Sequence, residues 1–376
     1  MKKSKQWLLL FFAIVFVGTA AFMAVNYQID DTGYFAVEHG DETVDANGYT
    51  RAAKCKYLRK YADDYNAVVL GGSKAGVLST ERLSEYTGKN YYNFYAAYGC
   101  FSDYLTYASW LIDTVGVDEI TLHLSSIEVQ MFDRSQVNEI YKVPAFVNGN
   151  AWDVLLENLN YLCRNIETSV EYAMEDKATK ENGMDSLITG ERNYSYPYQL
   201  IEKDEQKYIK KYVMPRYKQN LELLFEKGVE EPAMEANVEA FQELKALCDE
   251  KGVTLKVVIG PTFLAEIFKF ESEDYYTYLR HLVDVTDIWD FSGFTPENLN
   301  PYNFINEGHY KNVVADAMVD TMYGKGSREN FGILLTKDNI DEYIQNRRES
   351  YQKLKKEYEE TGTVQLQTKE DESYIS

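Results

Sequence analysis

The chain has 376 residues, 45% of them hydrophobic, which is enough for one sizeable domain or two small ones with a buried core. Its formal net charge is −21, from 60 acidic and 39 basic residues. Such an excess of negative charge disfavours binding to nucleic acid, or to an anionic lipid surface through a basic patch. Four cysteines without a Cys-x-x-Cys or Cys/His cluster give no support for a zinc site, and we expect neither a metal nor another cofactor.

The N-terminus is predicted to form a membrane-spanning helix. Residues 7–25 are an uncharged apolar run of nineteen residues, which as a helix would reach roughly 28 Å, close to the hydrocarbon thickness of a bilayer. Lysines precede the run and Asp30-Asp31 follow it, so the positive-inside rule makes residues 1–27 a cytoplasmic stub and signal anchor with the rest outside. The alternative is a cleaved signal peptide with Thr19-Ala20-Ala21 as its small-residue site. The length of the run favours the anchor, so we expect a single-pass protein of the cell membrane with its main domain extracytoplasmic.

The next segment and the main domain differ in their patterns. Residues 28–60 are predicted to be a polar juxtamembrane lead-in, extended to about residue 50 and helical after it. From residue 61, short apolar runs alternate with helical patterns, and strands are predicted at 67–70, 91–95, 119–126, 253–259 and 285–291. This alternation is typical of a parallel sheet covered on both faces. We expect residues 61–330 to form a three-layer α/β sandwich with a central parallel sheet, flavodoxin-like in outline.

Two segments fall outside this alternation. Residues 151–237 are helical in pattern, with a Tyr-rich loop around residues 193–198, and are predicted to be a helical insertion. Residues 331–376 are predicted to form a strongly charged helix over 337–361 and a tail. The last fifteen residues have little apolar content, so we expect the tail to be disordered.

A strand–glycine–serine turn is the first candidate for chemistry. The apolar run 67–70 leads into Gly71-Gly72-Ser73, and a helical pattern follows. Glycines allow the chain to turn sharply, and the N–H groups at the start of a helix lie near the hydroxyl of Ser73. Such a position suits a nucleophile whose reaction develops an oxyanion.

A histidine late in the chain is the candidate base. The other histidines lie in the lead-in, on a strand (His123) or within a helix, whereas His309 follows an Asn-rich loop and is predicted to open a helix. A base for a serine needs a partner on its other ring nitrogen. That partner could be Asn306 or Glu307, just before the histidine, or Asp290 at the end of the preceding strand.

Together these residues resemble a known superfamily. The Gly71-Gly72-Ser73 turn, a glycine after the next strand at Gly99, and the block Asn306-Glu307-Gly308-His309 before the last helix are similar to the motifs of SGNH/GDSL-type hydrolases. With a single N-terminal anchor, the chain looks like the membrane-anchored extracytoplasmic branch, which includes the teichoic-acid D-alanyl transfer protein and the polysaccharide O-acetylation proteins. The resemblance covers roughly residues 60–325, apart from the insertion.

The resemblance implies roles for particular residues. Ser73 would be the nucleophile and His309 its base, and the backbone N–H groups of Ser73 and Gly99 would form the oxyanion hole. Two positions depart from the pattern. The last block has Asn306 where the family has Asp, and the family's oxyanion-hole Asn has no match, so the side-chain donor could be Ser125 or Ser126, or be absent. Replacing the triad carboxylate by an amide typically lowers the rate about 10⁴-fold.

Two functions follow as expectations. The first is a serine esterase or O-acyltransferase that acts on cell-envelope or exported polysaccharide, with a membrane-bound O-acyltransferase as its partner. The second is a catalytically degenerate docking protein of the envelope that keeps the fold. Reactivity of Ser73 would distinguish them.

Overall fold

The computed structural model describes residues 2–375 except 47, 126–138, 175–183, 216, 218–230, 265–270, 307, 327 and 329. Its strands are β1 Thr43–Asp45, β2 Ala67–Gly71, β3 Tyr91–Tyr95, β4 Glu119–Leu124, β5 Met184–Ser186, β6 Thr254–Ile259, β7 Ile288–Asp290, β8 Phe304–Asn306, β9 His309–Tyr310 and β10 Ile333–Leu335. Its α-helices are α1 Lys2–Ile29, α2 Ala36–His39, α3 Thr50–Lys60, α4 Thr80–Thr87, α5 Phe101–Thr114, α6 Ala145–Asn148, α7 Ala151–Leu162, α8 Ile166–Met174, α9 Ser195–Lys203, α10 Glu205–Tyr208, α11 Glu231–Lys251, α12 Glu273–Val285, α13 Asn312–Met322 and α14 Ile340–Thr361.

A six-stranded sheet forms the centre of the main domain. Its strand order is β10-β7-β6-β4-β2-β3. The five strands from β7 to β3 are parallel, and β10 pairs antiparallel with β7 at one edge. The prediction of an α/β fold around a central sheet is confirmed, but the sheet is mixed, because a short strand from the C-terminal region joins it.

Both faces of the sheet are buried, which is why its strands read as continuous apolar runs. Side chains alternate along β2: Val68 and Leu70 enter one hydrophobic core with α5, α11 and α12, and Ala67 and Val69 enter a second core with α4 and α13. The parallel register places Gly71, at the end of β2, beside His123 of β4. The carboxyl ends of these strands therefore meet at one edge, where ligands bind in open α/β sheets.

The N-terminal helix α1 is long and apolar enough to cross a membrane, over Ser4–Ile29, and could be a membrane anchor or a signal sequence. Its apolar side chains from Trp7 to Val17 are largely exposed. Its last two turns, in contrast, pack against α7 and α8 of the insertion. The helix is therefore attached to the main domain through its C-terminal end.

The lead-in is folded, which corrects the expectation of an extended segment. It contains α2 and β1, and β1 pairs antiparallel with β5 of the insertion. Tyr34 and Val44 are fully buried in it. The polar composition of the lead-in predicts no core of its own, and the structure shows that it is ordered by residues more than a hundred positions away.

The C-terminal tail is also ordered against the domain, contrary to the expectation of disorder. Val364 and Ile375 are buried. The Asn303 amide donates to the Ser373 carbonyl at 2.8 Å, and its Oδ1 accepts the Ile375 N–H at 2.9 Å. The tail thus uses its few apolar residues and its backbone to fasten the loop before β8.

Candidate active site

Ser73 and His309 lie in direct contact at the carboxyl edge of the sheet. Ser73 follows β2 and opens a 3-10 turn, Ser73–Val77. Its Oγ is 2.8 Å from Nε2 of His309, and both residues are partly buried. His309 was expected at the start of a helix, but it belongs to β9, whose hairpin with β8 pairs it with Asn306. The hairpin carries the imidazole to the serine across 236 positions of sequence.

Asn306 fixes the tautomer of His309. Its Oδ1 accepts the Gly308 N–H at 2.9 Å, and because a backbone N–H can only donate, the atom at that position must be the amide oxygen. The same oxygen lies 3.0 Å from Nδ1 of His309, so Nδ1 carries the proton. Nε2 is then left as the acceptor facing the Ser73 hydroxyl. The row Ser73–His309–Asn306 therefore has the geometry of a nucleophile, a base and an orienting group.

The electrostatic surroundings keep His309 neutral. Burial is the main cause that lowers its pKa well below the usual value of 6.5, and the positive charges of Arg192 and Lys74 lower it further. At neutral pH the imidazole is thus unprotonated and can accept a proton from Ser73.

Gly99 does not offer the N–H that the resemblance implied. Its N–H donates to the Ala96 carbonyl at 2.8 Å, closing a tight turn in which Tyr98 has a φ of +55°. A Cβ at Gly99 would lie 2.7 Å from the Tyr104 ring, so the glycine serves close packing. The expected oxyanion-hole role of Gly99 is not available in this arrangement.

Asp290 is also not brought to His309. One carboxylate oxygen accepts the Ser292 N–H at 2.7 Å and the other accepts the Tyr343 hydroxyl at 2.7 Å, with Arg347 3.6 Å away. The carboxylate is thus part of a buried network with α14. Of the candidate partners for Nδ1 of His309, it is Asn306 and not Asp290 that makes the contact.

Two of the predicted site residues, Glu307 and Ser126, lie outside the described residues. Ser125, the alternative to Ser126, is buried at the end of β4, close to the sheet edge that carries Ser73.

The insertion supplies two groups that the sequence analysis missed. Arg192 is close enough to influence the pKa of His309, and its guanidinium lies 5.1 Å from the centre of the Tyr194 ring. The Tyr194 ring lies 6.3 Å from the His309 ring, centre to centre, and its buried hydroxyl has no hydrogen-bond partner among the described residues. The sequence predicts this Tyr-rich segment only as a loop between helices, whereas in the structure it lines the site.

The segment with Arg192 and Tyr194 is held by a buried lysine. The Lys54 ammonium of α3 donates to the carbonyls of Gly190 at 2.6 Å and Asn93 at 3.2 Å. Gly190 has a φ of +72°, and a Cβ there would lie 2.2 Å from the Asn93 oxygen, so only glycine fits. A glycine directly before a cluster of tyrosines is the sequence pattern that could have indicated that this segment packs tightly against the sheet, close to the site.

A second histidine lies beneath the site. His123 is fully buried, its Nε2 is 2.8 Å from the Tyr310 hydroxyl, and a Cβ at Gly260 would lie 2.2 Å from the same nitrogen. Burial is the main cause that lowers the pKa of His123 to about 3, with a further contribution from Lys74. His123 is therefore a neutral structural group, and its ring positions the residue next to His309.

The described residues contain no group of three or more His, Cys, Asp or Glu side chains that could hold a metal ion. The groups at the site are a hydroxyl, a neutral imidazole, an amide and two cations. This set is suited to acyl transfer through a serine.

In comparisons with known proteins, no protein-family model, no curated protein and no solved structure matches the chain.

Proposed function

We propose that the chain is an extracytoplasmic serine esterase or O-acyltransferase of the SGNH/GDSL type, acting on cell-envelope or exported polysaccharide. The observation that carries the proposal is the 2.8 Å contact between Ser73 Oγ and His309 Nε2, with Nδ1 oriented by Asn306. A hydroxyl and a neutral imidazole at this distance are the reacting pair of serine acyl transfer.

The reaction follows from these atoms. Ser73 Oγ attacks the acyl carbonyl carbon while Nε2 of His309 takes the hydroxyl proton. The resulting imidazolium returns that proton to the leaving alkoxide oxygen, which leaves an acyl-enzyme and a free alcohol. Water or a sugar hydroxyl then gives its proton to the neutral His309 and attacks the acyl carbon, and the returned proton regenerates Ser73.

The oxyanion would be stabilised differently from the family pattern. Because the Gly99 N–H is used in its own turn, we assign the stabilisation of the oxyanion to the Ser73 N–H and to the positive charges of Lys74 and Arg192, which act at His309. Lys74 donates to the Thr262 hydroxyl at 3.0 Å, which fixes its ammonium beside the turn, and the Arg192 N–H donates to the Gly76 carbonyl of the same turn at 2.8 Å. Two cations in a chain of net charge −21 also favour a substrate with negative charge near the scissile ester.

The cellular setting is part of the proposal. If α1 anchors the chain, the site faces outside the cell, where envelope glycans are found and where a membrane-bound O-acyltransferase could supply the acyl group. The second function, a docking protein without activity, is favoured by one observation: Asn306 stands where a carboxylate would compensate the imidazolium charge.

Labelling with a fluorophosphonate distinguishes the two functions. The full chain in detergent should be labelled, and Ser73→Ala should abolish labelling, whereas Ser350→Ala, at a half-buried serine of α14 far from Ser73 in sequence, should leave it unchanged. Hydrolysis of p-nitrophenyl acetate should be lost in both Ser73→Ala and His309→Ala. A folded parent protein that neither labels nor hydrolyses the ester would instead establish the docking function.

A further inference from the structure

Helix α7 carries an exposed apolar stripe. Trp152, Leu155, Leu156 and Leu159 have the i, i+3, i+4, i+7 spacing of one helix face. Their exposed fractions are 64%, 44%, 48% and 38%. Four large apolar side chains on one face of a 12-residue helix form a contiguous patch of the kind that marks an interaction surface.

The opposite face of α7 packs against the domain, so the helix that carries the stripe is held in a fixed position. Tyr161 is buried and its ring stacks on Tyr34 of the lead-in with centres 3.6 Å apart. Glu157 accepts the Ala145 N–H at 3.0 Å. The helix therefore presents its apolar face outward in a defined direction.

The C-terminal end of α7 has a defined level along α1. Asn26 of α1 is buried, and its amide nitrogen donates to the carbonyls of Leu162 at 2.9 Å and Arg164 at 3.0 Å. Its amide oxygen accepts the Ser169 hydroxyl of α8 at 3.0 Å. The C-terminal end of α7 and the middle of α8 thus lie beside residue 26 of α1.

Residue 26 marks the end of the apolar run of α1. Residues 7–25 would span roughly 28 Å, so in a bilayer Asn26 lies where hydrocarbon gives way to headgroups. On the same face of α1, Phe22 and Met23 are half-buried against the domain. This level in a membrane accommodates amphipathic helices and tryptophan.

We propose that α7 lies in the outer interface of the bilayer that α1 spans, with the stripe Trp152, Leu155, Leu156 and Leu159 inserted among the lipids. The occupant is lipid because α7 packs against the C-terminal end of α1, whose exposed apolar side chains have no protein partner among the described residues. Val170 and Met174 of α8, the helix that also packs against α1, are exposed as well. The main domain would then be held against the membrane at two places, independently of what its active site does.

The test uses the full chain reconstituted in phosphatidylcholine vesicles that contain lipids brominated near the headgroup end of their acyl chains. Bromine quenches tryptophan on contact, and the difference in emission between the wild type and Trp152→Phe isolates Trp152 from the other three tryptophans. We expect most of the Trp152 emission to be lost in these vesicles and much less of it when bromine is placed at the chain ends.

A second variant shows whether the stripe causes the contact. Replacing Leu155, Leu156 and Leu159 by Gln changes only exposed side chains, so the fold and the α1 anchor should be kept, and the quenching of Trp152 should fall to the level seen without brominated lipid. Unquenched Trp152 in the wild type, or quenching that persists in the triple variant, would overturn the proposal. A stripe that binds another protein would give the first of these results.

Discussion

The two sides of the candidate active site are built in opposite ways. Ser73 follows a fully buried strand at the centre of the sheet, and its position depends on β2 and the glycines beside it. His309 and Asn306 lie on a two-stranded hairpin outside the sheet, held by the insertion and by the C-terminal tail. The nucleophile is therefore positioned by local structure, and the base by contacts distant in sequence.

The hairpin is held from both sides by polar contacts. On one side, the Tyr208 hydroxyl of the insertion donates to the Ile305 carbonyl at 2.9 Å. On the other side, Asn303 bonds to the backbone of Ser373 and Ile375 in the tail. Changes far from the chemistry should therefore affect His309 much more than Ser73.

The largest effect is expected from Asn306, which orients the base. Asn306→Leu removes the acceptor of the Nδ1 proton, so the imidazole loses its tautomer and its direction, and kcat/KM for p-nitrophenyl acetate should fall roughly 10³–10⁴-fold. Asn306→Asp keeps the acceptor and adds a charge that stabilises the imidazolium. Because Nδ1 already carries the proton in the wild type, kcat should rise by only about tenfold rather than 10⁴-fold. Equal activity in the wild type and both variants would show that Asn306 does not act on His309.

A smaller loss is expected from the tail. Ile375→Asp places a charge in a buried site and should release the tail from Asn303, and the resulting displacement of the hairpin should lower kcat about 10- to 100-fold. Fluorophosphonate labelling should slow in proportion. Glu370→Ala, at an exposed tail position, is the control and should keep wild-type activity. A fully active Ile375→Asp protein would show that the hairpin holds without the tail.

Arg192 should change the pH dependence of the reaction. Its positive charge helps to lower the pKa of His309, so Arg192→Gln should raise that pKa, and the acidic limb of the kcat/KM profile should move to higher pH by up to about one unit. The shift should be read from profiles scaled to their plateaus, because losing the Arg192 charge near the oxyanion also lowers activity at every pH. Lys203→Gln, at an exposed position of α9, should leave the profile in place.

The smallest effect concerns stability. The pKa of His123 is about 3 in the folded chain and about 6.5 when unfolded, so the unfolded state binds the proton first and stability falls as pH drops below 6.5. The free energy of unfolding should decrease by about 1.4 kcal/mol per pH unit from this group. Denaturant titrations between pH 7 and 5.5 should show that His123→Gln removes this contribution to the pH dependence of the free energy of unfolding. His281→Gln, at an exposed histidine, is the control. An unchanged slope in His123→Gln would contradict this explanation.

The sequence predicted what local patterns determine. The strands β2, β3, β4 and β6, the helix α5 and the serine turn follow from apolar runs bounded by glycine and helical spacing. The pairing of Ser73 with His309 was expected from the resemblance, and the two side chains are in contact.

What the sequence did not predict depends on contacts between distant segments. The folding of the lead-in, the docking of the tail and the presence of Arg192 and Tyr194 at the site all join residues a hundred or more positions apart, and composition does not record such pairings. Gly99 shows that a correctly placed motif residue can still lack the expected role. It lies where the motif predicts, but its N–H donates to the Ala96 carbonyl instead of being free for an oxyanion. The sequence alone does not show this hydrogen bond.

The docked tail also affects the order in which the site is completed. Residues 362–375 leave the ribosome after residues 1–361, yet Asn303, just before the hairpin, donates one hydrogen bond to them and accepts another. If the chain is exported during synthesis, Ser73 can take its place before residues 362–375 have emerged, whereas the loop that leads to His309 is fastened only after they have. The nucleophile and the base would then stay unpaired until residues 362–375 dock.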